Sequence, residues 1–180
     1  MLNSQIRAHK IPAYHWGALT LMAALAGILI ALGFEYLGGM QPCPLCLQQR
    51  YAYYAGIPFL FLGLALIGAG EHRNAAIIFF LVALAFLSNA GLGVYHAGAE
   101  WKFWPGPDTC AAGSSGPAGT GSLLERLKNT QVIRCDEAAG RFLGLSFAGW
   151  NAFLSIGLCI GALQAAFFAQ NKNQQKQIVN

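Results

Sequence analysis

The sequence predicts an all-α integral membrane protein: a four-transmembrane-helix bundle with one long extramembrane loop that carries a short amphipathic helix. Three observations predict it. Of 180 residues, 56% are hydrophobic and only 10% are charged, whereas a soluble domain carries about 25% charged residues. The apolar residues fall into four runs, each near the roughly 20 residues that a spanning helix needs. Four of the five cysteines lie outside those runs, in pairs, on segments that four crossings put on the same side. The net charge of +4 is modest. No basic cluster suggests a nucleic-acid partner, and nothing repeats at solenoid periods.

Taken in order, residues 1–15 form a polar tail with Arg7, His9 and Lys10. Residues 16–34 are free of charge and form the first span. The run is too long for a signal-peptide core, and no small-residue cleavage site with a soluble domain follows, so the span is expected to be retained. Residues 35–50 are a short loop. Residues 51–70 are the second span, with Pro58 inside it; a kink or a free Tyr54 carbonyl is expected there, and bundle neighbours tolerate it in a membrane. Glu71, His72 and Arg73 make a minimal turn. Residues 74–95 are the third span, and Ser88, Asn89, Gly91 and Gly93 near its end suggest close helix packing or a cavity.

Residues 96–141 form the long loop, with Trp101, Trp104, Cys110 and Cys135. Within it, 111–121 is rich in Gly, Ser, Ala and Pro, the composition of a flexible linker. In 122–133, Leu123, Leu124 and Leu127 share one face, as in a helix lying on the bilayer; a solvated turn is the alternative. Residues 142–168 are the fourth span, and 171–180 are a polar tail. The whole chain is expected to be a single membrane domain.

Four spans put both ends on one side. The ends and the short turn carry Arg7, Lys10, Arg73, Lys172 and Lys176 against Glu71 alone. The positive-inside rule therefore places the termini in the cytoplasm. Both cysteine-bearing loops then face the outside, where disulfides persist. Trp101, Trp104 and Trp150 fall near the outer interface and Trp16 near the inner one, as an aromatic belt would.

The chemistry centres on Cys43-Pro44-Leu45-Cys46 at the mouth of the second apolar run. Pro44 fits the first helical position, where its missing N–H costs nothing. Cys43 then falls at the cap and Cys46 in the first turn, where the helix dipole favours a thiolate. Arg50, one turn beyond Cys46, is expected on the same face, where its charge would lower the Cys46 pKa. A structural disulfide or a pair of inert thiols is the alternative for this motif taken alone. The second pair, Cys110 and Cys135, is separated by the flexible run. One tight pair beside the membrane and one pair reachable from solvent is the layout of a thiol relay.

Cys43-Pro44-Leu45-Cys46 with Arg50, Tyr95-His96, Cys110 after Gly106-Pro107, Cys135, Phe142-Leu143-Gly144-Leu145 and Trp150-Asn151 together resemble the DsbB family of membrane thiol:quinone oxidoreductases. The resemblance runs from about Trp16 to the end of the fourth span. Gly140 departs from it, where many relatives carry Trp, and so does Glu100, where some carry Gln.

The resemblance implies a bacterial inner-membrane enzyme with periplasmic redox loops and a quinone cofactor, ubiquinone or menaquinone. It implies a periplasmic DsbA-type thioredoxin-fold oxidase as partner. That partner would attack Cys110 of a Cys110–Cys135 disulfide, and Cys135 would attack Cys43 and free Cys46 beside the quinone. Arg50 would hold that thiolate and polarise a quinone oxygen, and His96 would contact the quinone head group. Such a system keeps the bacterial periplasm oxidising.

Other readings exist. A vitamin K epoxide reductase-like relay shares the logic, but there the membrane-adjacent C-x-x-C comes late in the chain. Four thiolates could instead bind zinc, although Cys110 and Cys135 form no second C-x-x-C; no metal site is assigned. Two bracing disulfides in a structural membrane protein would leave Arg50 beside Cys46 without a reason. An interfacial His96 is equally explained as amphipathic, and Glu100 reads as a solvated loop acid. Cys159, inside the fourth span, reads as a small hydrophobe. Tyr51, Tyr53 and Tyr54 read as packing and interface anchors.

Overall fold

The computed structural model describes residues 12–106 and 140–179. Cys110, Cys135, the 111–121 run and the expected amphipathic helix at 122–133 lie outside the described residues. The described chain forms α1 (Pro12–Tyr36), α2 (Pro44–Gly68), α3 (His72–Glu100), a hairpin of β1 (Arg141–Phe142) and β2 (Leu145–Ser146), and α4 (Phe147–Val179). All four helices are long and apolar enough to cross a membrane. The shortest have 25 residues; at a rise of about 1.5 Å each they exceed a hydrocarbon core of about 30 Å.

Each of α1 and α3 packs against both α2 and α4, so the helices close a ring in the order α1, α2, α3, α4. Phe79 and Phe86 of α3, Leu60 of α2 and Leu158 of α4 are fully buried along its centre. Large apolar side chains also cover the outside: Leu19, Met22, Leu29, Phe61, Leu81 and Phe153 are all exposed. A protein apolar both inside and out is solvated by lipid. In 88–93, Asn89 and Gly93 pack inward, whereas Ser88 and Gly91 are exposed. Asn89 Nδ2 donates to Ser155 Oγ of α4 at 2.9 Å. A Cβ on Gly93 would sit 3.1 Å from the Ala152 backbone, so the missing side chain lets α3 and α4 approach closely.

The helix ends follow local chemistry. Pro44 opens α2 with Cys43 as its cap, and the helix continues past Pro58. The α2–α3 turn uses a positive φ of 80° at Gly70. α3 does not stop at 95, because nothing in 96–100 breaks a helix and the first proline comes at Pro105. Trp104 then folds back, its Nε1 donating to the Tyr95 carbonyl at 2.9 Å and its ring stacked on Tyr95.

The start of the expected fourth span is not helical. Arg141 pairs with Ser146 and Phe142 with Leu145, leaving Leu143 and Gly144 as a two-residue turn with φ of 53° and 81°. Positive φ at both positions is the hairpin turn that matches strand twist. Ser146 caps α4 by accepting from the Gly149 N–H at 3.2 Å, which starts the helix at Phe147. Trp150 Nε1 donates to the Phe142 carbonyl at 3.0 Å and ties the hairpin to the helix.

Candidate active site

One end of the ring opens into a cavity of about 570 Å³. Ile28, Ala31 and Phe34 of α1 and Phe147, Ala148 and Leu154 of α4 give it apolar walls. Polar groups make up the remaining wall: Cys43, Cys46, Gln49, Arg50 and Tyr53 from the start of α2, His96 and Glu100 from the end of α3, Asn151 from α4 and Glu35 from α1. Of the residues singled out in the sequence, Cys43, Cys46, Arg50 and His96 are therefore together on this wall. Cys110 and Cys135 are outside the described residues.

The two sulfurs are 2.8 Å apart and share a hydrogen bond. Both are free thiols, near enough to close to a disulfide bond of about 2.05 Å with little movement. The first free N–H groups of α2 point back at its cap, so the Cys46 amide donates to Cys43 Sγ at 3.2 Å. His96 Nε2 stands 3.6 Å from the same sulfur. Cys43 is thereby held far below the ordinary thiol value, chiefly by the hydrogen bond from the Cys46 side chain; burial opposes this and His96 assists.

This differs from the expectation that the helix terminus serves Cys46, because the free N–H of the first turn reaches the cap side chain and not a side chain within the turn. Arg50 differs as well. Its guanidinium pairs with Glu35 of α1, both largely shielded from solvent, and with Tyr54. The carboxylate at the end of α1 competes for the arginine that spacing alone directs to Cys46.

His96 and Glu100, expected on the long loop, are helical and buried, 2% and 8% exposed. His96 Nε2 lies 3.7 Å from Glu100 Oε1, and Glu100 Oε2 has no hydrogen-bond partner. Behind the imidazole runs a polar chain. Gln49 Nε2 donates to His96 Nδ1 at 2.9 Å, Asn151 Nδ2 to Gln49 Oε1 at 2.6 Å, and the Tyr53 hydroxyl to Asn151 Oδ1 at 2.7 Å. In this sense of the chain Nδ1 is an acceptor, so the ring hydrogen sits on Nε2 and faces Cys43.

Sequence reasoning assigned no role to Gln49 or Glu35 and gave Tyr53 to packing. The available signal was a polar residue inside an otherwise apolar helix, which in a membrane marks function by default.

Cys43 Sγ, Cys46 Sγ and His96 Nε2 lie within 4.8 Å of one another. Two thiolates on a tetrahedral zinc, with bonds of about 2.3 Å, stand about 3.8 Å apart. Sulfurs at 2.8 Å are too close for that and suit a dithiol poised to oxidise. The apolar walls with a few convergent donors instead fit a flat, hydrophobic oxidant with polar oxygens.

Comparison with known proteins agrees. The family model described as "Disulfide bond formation protein DsbB" matches residues 14–165. A "Disulfide bond formation protein B" of Xanthomonas oryzae pv. oryzae is 30% identical over 156 residues, 83% of this chain and 88% of that one. The protein of the same name from Saccharophagus degradans is 31% identical over 164 residues, covering 83% and 90%. That from Marinobacter nauticus is 32% identical over 148 residues, covering 76% and 82%. No solved structure matches the chain significantly. A membrane bundle of four helices, a helix-capping dithiol and a match over most of the length lead to one conclusion: the chain belongs to the DsbB family of disulfide bond formation proteins, multi-pass membrane oxidoreductases that form disulfides.

Proposed function

We propose that this protein is a thiol:quinone oxidoreductase of the bacterial inner membrane, which reoxidises a periplasmic DsbA-type thioredoxin-fold oxidase and passes two electrons to ubiquinone or menaquinone. The observation that carries the reading is that the Cys43–Cys46 dithiol opens onto a largely apolar cavity between α1 and α4. A water-soluble oxidant needs no such chamber, and a lipid-soluble one does. Both termini are cytoplasmic in this reading and the cysteine-bearing loops periplasmic, as the basic residues at the ends support.

The residues then take the following roles. Cys110 exchanges with the partner, and Cys135 carries the electrons to Cys43. With a two-electron acceptor in the cavity, the dithiol would lose two electrons and two protons and close the Cys43–Cys46 bond across the 2.8 Å gap, Cys43, ionised beside His96, supplying the thiolate. Only a thiolate is nucleophilic enough for that step. Arg50 and His96 would supply donors to a quinone oxygen, and Ile28, Phe34 and Leu154 would give its ring an apolar wall. The quinone supplies the two-electron oxidant.

The test uses the purified chain with a reduced thioredoxin-fold donor and a short-chain quinone. Catalytic loss of quinone absorbance is expected, and it disappears in Cys46→Ala. Donor oxidation that continues beyond the protein's own disulfide equivalents without quinone would overturn the reading. A Cys135→Ala variant should trap a mixed disulfide through Cys110; an adduct at Cys46 would reverse the order of the relay. Impermeant thiol probes should label the reduced cysteines from the periplasmic side.

A further inference from the structure

Glu100 is the one buried carboxylate in the cavity with an oxygen that no donor among the described residues satisfies. It is 8% exposed. Burying a carboxylate charge without full pairing is costly, and a proton removes the cost. The same site must manage protons. Oxidising two thiols releases two protons with two electrons, and a quinone that takes both electrons takes both protons. Cys43 gives up its proton early, since its surroundings favour the thiolate, and that proton needs a place to wait.

His96 stands between the two groups, its Nε2 3.6 Å from Cys43 Sγ and 3.7 Å from Glu100 Oε1. Both groups face Nε2, so that one nitrogen takes the proton from Cys43 and hands it to Glu100, which requires the ring hydrogen to shift to Nδ1 and Nδ1 to change from acceptor to donor. The amides of Gln49 and Asn151 and the hydroxyl of Tyr53 each present a donor and an acceptor, so the chain behind Nδ1 can turn end for end and follow that change. Cys46, Arg50, Glu35 and Tyr53, the last already a link of the polar chain, are the other ionisable groups on this cavity. Arg50 and Glu35 neutralise each other, which leaves Glu100 as the group free to take the proton.

We propose that Glu100 is the proton store of the redox centre: it receives, by way of His96, the proton lost by Cys43 when the dithiol forms. It returns that proton to the reduced acceptor when the Cys43–Cys46 disulfide closes. The second proton leaves with Cys46, so that dithiol plus quinone gives disulfide plus quinol with atoms and electrons balanced. The return step rests on the quinone reading; the uptake step does not.

The experiment is a reduced-minus-oxidised infrared difference spectrum of the full chain in detergent, without quinone, the disulfide being reduced by a soluble thiol. A positive carbonyl stretch of a protonated carboxyl is expected. It should vanish in E100Q and persist in E35Q. E100D, which keeps the carboxyl, should move the band, so the assignment stands even if E100Q is not recovered. A wild-type spectrum without the band, or a band that survives in E100Q unshifted, overturns the proposal. Adding a short-chain quinone to the reduced protein should then reoxidise E100Q at least tenfold more slowly than wild type, less than the about 10²–10⁴ of a general acid–base group because solvent relieves part of the loss. A wild type that shows the band but is not reoxidised refutes the quinone reading and leaves the proton store intact.

Discussion

Replacing Asn151 by Leu separates the polar chain behind His96 from the packing around it. Asn151 is held at both ends, accepting from the Tyr53 hydroxyl at 2.7 Å and donating to Gln49 Oε1 at 2.6 Å. Leucine is of similar size and makes neither bond. Tyr53 and Gln49 are 4% and 5% exposed, so solvent does not replace the lost partner. A buried group left unpaired costs about 1–3 kcal/mol, whereas hydrogen bonds between membrane helices average about 0.6 kcal/mol. The Tyr53 hydroxyl has Ser155 within reach and recovers part of the loss; the Gln49 carbonyl bears the rest. The expected destabilisation is about 1–2 kcal/mol. Thermal unfolding in detergent, followed by the reactivity of the buried Cys159 thiol, measures it. The larger effect is on chemistry. With its carbonyl end released, Gln49 no longer fixes His96 Nδ1, and the Nε2 hydrogen loses its aim at Cys43. If about 1 kcal/mol of orientation is lost, turnover falls roughly fivefold. Nitrogen NMR of the His96 imidazole reports the same change without turnover. Wild-type turnover with unchanged imidazole resonances in Asn151→Leu would show that the chain does not orient the histidine.

Three further outcomes follow from the same geometry. Cys43 is held down from 9.0 to about 4. A depressed thiol loses its thiolate only as pH falls through the lowered value, so thiolate ultraviolet absorbance of the reduced protein should persist well into mild acid. The linked stabilisation of the reduced form is full above 9.0 and is lost toward about 4. Cys46→Ala should raise the titration most, and ordinary thiol titration in the parent would remove the argument. Arg50→Gln should weaken apparent quinone affinity and slow turnover while leaving single-turnover exchange at Cys110 nearly intact. Arg50→Lys should fall between, since charge is kept and the planar fork lost; unchanged quinone kinetics in Arg50→Gln would leave Arg50 as an interfacial anchor. Gly93→Leu would drive a side chain into the Ala152 backbone and should destabilise the bundle by about 1–3 kcal/mol, read by the same Cys159 exposure assay.

The helices were legible because lipid imposes one strong rule, a charge-free apolar run, and each such run became a span. Their ends were less so. Hydropathy falls at His96, so the sequence reads as leaving the membrane there, yet the backbone continues helical to Glu100 because helix continuation depends on the absence of a breaker and not on apolarity. In the other direction, Phe142-Leu143-Gly144-Leu145 is apolar enough to extend a span but folds as a hairpin, since Leu143 and Gly144 take positive φ. At the site, Cys43 as cap and Pro44 as first helical residue were readable from i-to-i+3 chemistry within α2. The partners of Arg50 and His96 come from other helices: Glu35 is 15 residues from Arg50, and Gln49 is 47 from His96. Spacing along one helix cannot foresee which neighbour claims a charge first.

That division explains how one bundle keeps two charges of opposite use in one small chamber. A guanidinium facing the dithiol directly would stabilise both thiolates and slow the step in which Cys43 gives its electrons away. Glu35 pairs with Arg50, and the acid strength of Cys43 comes first from the Cys46 thiol and then from His96 and the Cys46 amide, all close, directional donors. Those donors act on one sulfur and not on the other. Directional hydrogen bonds in a low-dielectric pocket discriminate between atoms 2.8 Å apart where a diffuse charge does not. The asymmetry between two chemically identical thiols is thus built from the Cys46 thiol itself, one imidazole and the first turn of α2. Moving the cap by one residue, as in exchanging Cys43 and Pro44, should abolish it while preserving the composition of the motif.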